Sequence, residues 1–431
     1  MRSTETAGVF GRSRTVTQCE VRLAPPSPDH FAITCLAPHG ADASSGTSQD
    51  MQDSSAQTDA PGTALPDAYS PLINLRDTDR FLPVLEALGC TLAISRRPSG
   101  VALLGVEKGV PTLSACLLPR SMGLAVAPDR LAIATVRELM IFANVRAIAA
   151  QFPAKPDYYD AVFVPRHTFY TAYCDLHDMA FDGQVVLAVN TRWSCICVID
   201  GYFNFTPIWQ PPFVPELSPD DRCHLNGMAF HDRKVRFATA LGTTNTSYGW
   251  RAGMADSGVV MEVPSGRVIA SGLSMPHSPR VINGQLYVLE GGRGQVLRID
   301  PETGKSTVFA KLPGFTHGLA EYGGVIFVGL SKLREKRGPQ GLPIEEEGEL
   351  VAGVAALDAA SGQLLGILHF FNGVDEVFDV QVIPGVKRAE ILAPQQWFES
   401  PSVVLAQGKV LRGMWEQRAD DELAEEAGGN D

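Results

Sequence analysis

Asp175-Leu176-His177-Asp178-Met179-Ala180-Phe181, followed by Asp182-Gly183-Gln184 and an apolar run over residues 185–189, is a polar tip, a tight turn and a strand. The same unit returns downstream. His224-Leu225-Asn226-Gly227-Met228-Ala229-Phe230 opens a second copy, Pro276-His277-Ser278-Pro279-Arg280-Val281 a third, and Phe315-Thr316-His317-Gly318-Leu319-Ala320 a fourth. Degenerate copies flank them at Ser121-Met122-Gly123-Leu124-Ala125 and Val377-Phe378-Asp379-Val380-Gln381-Val382. Taking Met122, His177, Asn226, Ser278, His317 and Phe378 as equivalent gives spacings of 55, 49, 52, 39 and 61 residues. These bracket the ~40–50 residues of a four-stranded propeller blade.

Turn chemistry agrees with the repeat. Val263-Pro264-Ser265-Gly266, Asp300-Pro301-Glu302-Thr303-Gly304 and Asp358-Ala359-Ala360-Ser361-Gly362 each lie between two apolar runs. Hairpins joining the outer two strands of a blade have that form. Ahead of the first copy, residues 81–89 read as one short helix, and residues 91–95, 100–106 and 112–118 as three strands. The last copy is a lone strand over 378–383. Pairing it with those three closes the ring and removes exposed sheet edges. The expectation is therefore an all-β chain, a β-propeller of six blades closed by its C-terminal strand on the first blade. Seven blades is the alternative, if two are merged between residues 317 and 378. The charged insertion at 331–350 accounts for that long interval without another blade.

Outside the repeat the composition changes. Residues 40–70 contain no Lys or Arg and one aromatic residue, Tyr69, too little apolar surface to offset chain entropy. Residues 1–70 are expected to be a disordered low-complexity leader, with residues 31–36 a stray strand at most. The propeller is placed at 71–390, and 391–431 is a C-terminal extension. Its end, residues 419–431, holds six acidic residues and no basic one, which reads as a disordered, solvated tail.

The chain has 431 residues, 45% of them hydrophobic, and a net charge of −12. That charge argues against a nucleic-acid or anionic-membrane surface. Eight cysteines with no CxxC pair are too dilute for a disulfide framework. Cys195 and Cys197 fall on one face of a strand, where packing is the reading. No apolar stretch approaches the ~18 residues of a membrane span, and the N-terminus lacks the apolar core of a secretory signal. A soluble, cytoplasmic protein in a reducing compartment is expected. There is no nucleophile elbow, phosphate loop or dinucleotide fingerprint.

In a propeller the loop entering each innermost strand converges on one mouth of the central channel. That gathers His177, His224, His277 and His317 from four successive blades, out of nine histidines in the whole chain. Single histidines in such loops often serve only to bond the crowded loop ends. Several imidazoles together suit a divalent transition metal, Fe, Zn or Cu. Three protein ligands with an open position would make such a site catalytic. Asp175, Asp178 and Glu290 are candidate carboxylates to orient an imidazole or act as general base. Arg280 and Arg222 are candidate anchors for an anionic substrate, with plain salt bridges as the alternative, and Asn226 is a further substrate contact. Tyr173 is a candidate pocket wall, and Tyr248-Gly249-Trp250-Arg251 a candidate lid.

Seven segments carry a resemblance to a known family: Ser95-Arg-Arg-Pro-Ser-Gly100, Asp175-Leu-His-Asp178, Asn190-Thr-Arg-Trp-Ser-Cys195, Phe205-Thr-Pro-Ile-Trp-Gln-Pro-Pro-Phe213, Asp221-Arg-Cys-His-Leu-Asn-Gly227, Gly272-Leu-Ser-Met-Pro-His-Ser-Pro-Arg280 and Val328-Gly-Leu-Ser-Lys332. From about residue 81 to 388 the chain resembles the mostly bacterial domain of unknown function 4915. The resemblance implies a propeller and brings no activity with it. It also implies that His317 is a weaker ligand than His177, His224 and His277, because the family usually has another residue there.

Two functions follow as expectations. The first is a metal-dependent lyase, hydrolase or oxygenase acting on a small molecule at the channel mouth. A calcium-dependent, lactonase-like variant on Asn226 and Glu290 is the lesser form of it. The second is a non-catalytic scaffold whose top face binds a protein or carbohydrate partner. Fold analogy alone does not choose between them.

Overall fold

The computed structural model describes residues 75–97, 100–150, 152, 155–333, 341–370, 374–394, 402–404 and 410–412. The expected leader, the stray strand at 31–36 and the acidic tail lie outside these residues.

Six sheets of the propeller type follow one another along the chain. Blade I takes Glu376–Pro384 as its inner strand and continues outward through Cys90–Arg97, Gly100–Glu107 and Val110–Cys116. Blade II runs Leu124–Ala127, Arg130–Ala134, Glu138–Asn144 and Ala161–Tyr170. Blade III runs Leu176–Asp182, Val185–Asn190, Cys195–Ile199 and Thr206–Trp209. Blade IV comprises Leu225–His231, Lys234–Ala240, Gly258–Glu262 and Val268–Leu273. Blade V comprises Pro276–Ile282, Gln285–Glu290, Gln295–Ile299 and Ser306–Lys311. Blade VI comprises Phe315–Tyr322, Val325–Ser331, Gly353–Asp358 and Leu364–Phe370. The count is six, and the charged insertion at 331–350 joins two strands of blade VI without forming another blade. The three expected hairpin turns each join the third and fourth strands of a blade.

Ring closure follows the expected route. Glu376–Pro384 lies antiparallel to Cys90–Arg97, pairing Val382 with Leu92 and Val380 with Ile94. Two further edges are covered in a way the repeat does not announce. Leu75–Asp79 adds antiparallel to the outside of blade VI, and Ala389–Ile391 adds parallel to the outside of blade II. Both satisfy strand edges that would otherwise offer unpaired N–H and C=O groups. Beyond them, Ser402–Val404 pairs with Val410–Arg412 as a separate two-stranded ladder.

The core is six apolar seams, one between each pair of neighbouring blades. A middle strand packed on both faces reads as a continuous apolar run, which is why Val185–Asn190 and Val325–Ser331 carry almost no polar residue. Outermost strands face solvent, and Ser306–Lys311 is largely exposed. The helix Phe81–Leu88 ends on Gly89 in the left-handed region and buries Phe81 and Leu85 in the seam between blades VI and I. All six described cysteines are free and buried, with Cys195 and Cys197 on one face in the seam of blades II and III.

One equivalence in the repeat is corrected by the pairing. The inner strand of blade V slips register between His277 and Arg280, as that of blade III does between Met179 and Leu176. Counting from those slips makes His277, rather than Ser278, the counterpart of His177. Five of the six inner strands carry such a bulge at this level. A bulge re-aims side chains next to a site.

Truncating the chain after residue 375 removes the inner strand of blade I and bares the edge of Cys90–Arg97. The shortened protein is expected to lose its cooperative thermal transition and to associate, read by circular dichroism and size-exclusion chromatography. A monomer melting at the wild-type temperature would show that this strand does not close the ring.

Candidate functional site

Each inner strand enters the channel through two successive rungs of side chains. The upper rung is Arg120, Asp175, His224, Met275, Phe315 and Glu376. The lower rung, two residues further on, is Met122, His177, Asn226, His277, His317 and Phe378. All of these except Asn226 line one cavity of about 380 Å3 at the channel mouth. Arg120, Asp175, His224 and Met275 have φ values of 48°, 48°, 51° and 52°. Left-handed backbone is uncommon for residues other than glycine, and its repetition in four neighbouring blades marks a shaped site.

The twist has a visible consequence. It returns the carbonyls of Asp175 and Met275 onto Nδ1 of His177 and His277, at 3.0 and 2.9 Å. Nδ1 of His177 also lies 2.6 Å from Oγ1 of Thr191, whose hydroxyl donates to the Leu225 carbonyl. Nδ1 of His224 donates to Oδ2 of Asp221 at 2.8 Å, and Nδ1 of His317 to the Phe378 carbonyl. Carbonyls and carboxylates only accept, so in each neutral ring Nδ1 carries the hydrogen and Nε2 the lone pair. His277 is buried, and that desolvation, with His177 and His224 nearby, pulls its pKa down to about 3. Its ring is neutral across the physiological range.

The rings are close together. Centroid separations are 4.9 Å for His177 and His224, 4.3 Å for His277 and His317, and 6.4 Å for His177 and His317. Trp250 lies against His224, ring centres 4.4 Å apart and tilted by 41°, and donates Nε1–H to the same Asp221 oxygen that holds His224. Around the rim, Arg120, Arg192, Arg251 and Lys332 outnumber Asp175, Asp221 and Glu376. Arg120 donates to the Tyr173 hydroxyl and Arg192 to that of Tyr248. Even so, among the described residues no group of three or more His, Cys, Asp or Glu side chains is set to hold a metal ion.

A family model described as "Domain of unknown function (DUF4915)" matches residues 79–392. The chain belongs to the DUF4915 family. No curated protein matches it. Among solved structures, a crystal structure of a nidogen/laminin complex is 12% identical with a TM-score of 0.45, covering 69% of this chain and 99% of that one. A protein of unknown function from Bacteroides caccae is 9% identical with a TM-score of 0.44, covering 68% and 99%. These likenesses are too distant to carry an argument about chemistry.

Several of the expected site residues of this DUF4915 protein stand below or beside the mouth instead of in it. Asp178 and Arg280 form a bidentate pair, Nη1 to Oδ2 at 2.8 Å and Nη2 to Oδ1 at 3.0 Å. Arg280 also donates to the carbonyls of Leu319, Met228 and Pro279. Glu290 accepts from the Ser274 amide and from Arg293. Asn226 donates to the Pro276 carbonyl and accepts from Thr239, and Arg222 is held by Asp220 and Asn245. Their polar groups are taken up by the scaffold. The residues missed are Arg120, Arg192 and Asp221. Asp221 stood three residues before His224, a readable hint; the arginines carried no local signal.

Beneath the lower rung, Gly123, Asp178, Gly227, Ser278, Gly318 and Asp379 follow one another around the axis. Each side-chain oxygen takes an amide from the next blade, and all three bonds measure 3.0 Å. Met228 donates to Asp178, Gly318 to Ser278, and Leu124 to Asp379. The intervening positions must be glycine. A Cβ at Gly227 would lie 2.3 Å from Pro279 Cδ, and one at Gly318, whose φ is +79°, 2.7 Å from the Asp379 backbone. Burial, and then the neighbouring Asp178 charge, push the Asp379 carboxyl up to about 7.

Asp178→Ala strands Arg280 in the channel and is expected to cost about 3–5 kcal/mol in urea unfolding. Adding Arg280→Met should recover much of that loss, and additive losses would show that the pair is not coupled. The Asp379 carboxyl titrates near 3.9 when unfolded, so the native state binds its proton more tightly. Stability should therefore fall as pH rises from about 4 to 7 and level off above. Asp379→Asn should remove that component; superimposable pH profiles for the two proteins would contradict the assignment.

Proposed function

We propose that the channel mouth is a small-molecule site whose imidazoles act through Nε2, capturing a divalent transition metal on His177, His224 and His277. The observation that carries this reading is the common locking of Nδ1. Histidines that ligate metals almost always donate the other ring N–H to a carboxylate or carbonyl, and all four rings here do so. Two imidazoles on one ion at about 2.1 Å have ring centres roughly 5 Å apart, and those of His177 and His224 stand 4.9 Å apart. Capture requires the rings to move, because among the described residues no three such side chains are set to hold an ion as they stand. Neutral His277 needs no deprotonation to bind.

An ion at this place supplies Lewis acidity to a bound water or carbonyl, as a lyase or hydrolase requires, and iron or copper adds the redox chemistry of an oxygenase. The basic excess at the rim of an otherwise acidic protein favours an anionic substrate. Arg192 and Arg251 take the anchoring role in place of Arg280 and Arg222, while Arg120 is paired with Asp175 at 3.7 Å. A calcium site on Asn226 and Glu290 draws no support, since both are committed outside the cavity.

One observation favours the scaffold reading. Tyr170, Tyr173, Tyr202 and Phe203 are the four aromatics among the largest exposed apolar side chains, and all line a second groove of about 810 Å3. That groove shares Tyr173 and Arg192 with the mouth. Exposed aromatic patches of this kind mark contact with a partner.

Elemental analysis of untagged protein decides between them. The expected result is about one equivalent of Fe, Zn or Cu, lost in both His177→Ala and His277→Ala while circular dichroism is unchanged. Full metal content in both variants would sink the ligand set. No metal in the wild type would hand the site to the scaffold reading.

A further inference from the structure

Two arginines are drawn inside this propeller, Arg280 with a side chain 21% exposed and Arg96 fully buried, and their surroundings differ completely. Arg280 has a bidentate carboxylate and three carbonyl acceptors. Arg96 is 0% exposed and is the bulkiest of the fully buried side chains. Yet among the described residues nothing hydrogen-bonds its Nε, Nη1 or Nη2, and no carboxylate pairs with it.

Arg96 sits near the end of Cys90–Arg97, opposite Val377 on the inner strand and Gly100 on the next. Strand alternation puts it on the face of Leu92 and Ile94, which pack in the seam between blades VI and I. Val377 packs in that seam too and also lines the channel mouth. Burial is the one influence on the guanidinium and lowers its pKa to about 10, so it stays charged at neutral pH.

A buried cation is costly unless it is both hydrogen-bonded and neutralised. Among the described residues no other side chain does this for Arg96. Water would satisfy N–H groups but leave the charge. We infer that Arg96 holds a small inorganic anion in the seam between blades VI and I, beside the channel mouth. The planar fork of the guanidinium matches an oxyanion in two-point contact better than a halide. This site is independent of the metal reading, since it uses none of the histidines.

The test is thermal unfolding of the full chain at constant ionic strength, with sodium gluconate replaced stepwise by nitrate, phosphate or chloride. For the wild type the melting temperature should rise and saturate, by about 3 °C or more with nitrate or phosphate and less with chloride. Arg96→Met, close in length and uncharged, should show no saturable rise. Equal responses in both proteins, or no response of the wild type to any of the three anions, would overturn the site and leave Arg96 hydrated. If Arg96→Met does not fold, wild-type crystals soaked in selenate, an anomalously scattering oxyanion, decide it. An anomalous peak within contact of the guanidinium supports the anion, and its absence rejects it.

Discussion

Crowding at the channel axis is the constraint on which the rest of this propeller depends. Six inner strands approach one another closely enough that side chains cannot stand at the same level in every blade. The chain resolves this by alternation: Asp178, Ser278 and Asp379 each take an amide from the next blade, and that blade presents Gly227, Gly318 or Gly123. The result ties the blades in pairs with buried hydrogen bonds that are expensive to leave unmade. It also sets two buried carboxylates near each other at the axis. Arg280 offsets one of them directly through its bidentate contact with Asp178. The raised pKa of Asp379 is the consequence for the other.

The site above is built on that floor. Asp178, Ser278 and Asp379 of the alternating ring are buried, and the cavity at the mouth is lined by the two rungs above them. Its wall is shaped by backbone as much as by side chains. Left-handed residues in four blades and bulges in five turn the entering strands so that the imidazoles face the axis. The carbonyls released by those turns fix Nδ1. Imidazole orientation is thus set by local backbone geometry in blades III and V, by Asp221 in blade IV, and by the neighbouring blade's Phe378 in blade VI.

The two buried guanidiniums show how differently the fold handles charge. Arg280 belongs to a polar network in which carboxylate and carbonyl oxygens surround it. Arg96 stands in an apolar seam where no side chain among the described residues answers it. Position in the strand explains the contrast. Arg280 follows a bulge at the axis, where the strand can aim it into the channel, whereas Arg96 lies on the face of a strand that packs blade against blade.

Much of this was legible in the amino-acid sequence. The recurring polar tip, turn and apolar run determined the blade repeat, since a strand buried on both faces must be apolar throughout and a blade needs a hairpin turn between its outer strands. The lone strand at the end and the incomplete blade at the start determined the closure, because an open edge is unstable. Four histidines at the entry to successive inner strands marked the mouth, three on the lower rung and His224 on the rung above. What the sequence left open is which polar residues face the cavity. Asp178, Arg280, Glu290, Asn226 and Arg222 are chemically apt for a site, but the scaffold claims them, across blades for Asp178, Arg280 and Asn226 and through nearer neighbours for Glu290 and Arg222. Arg120 and Arg192 look ordinary in isolation and reach the rim only because their blades bring them there. A one-residue bulge decides which face a side chain takes, and pairing across strands far apart in sequence decides which charges are spent on the scaffold; only the tertiary structure contains either.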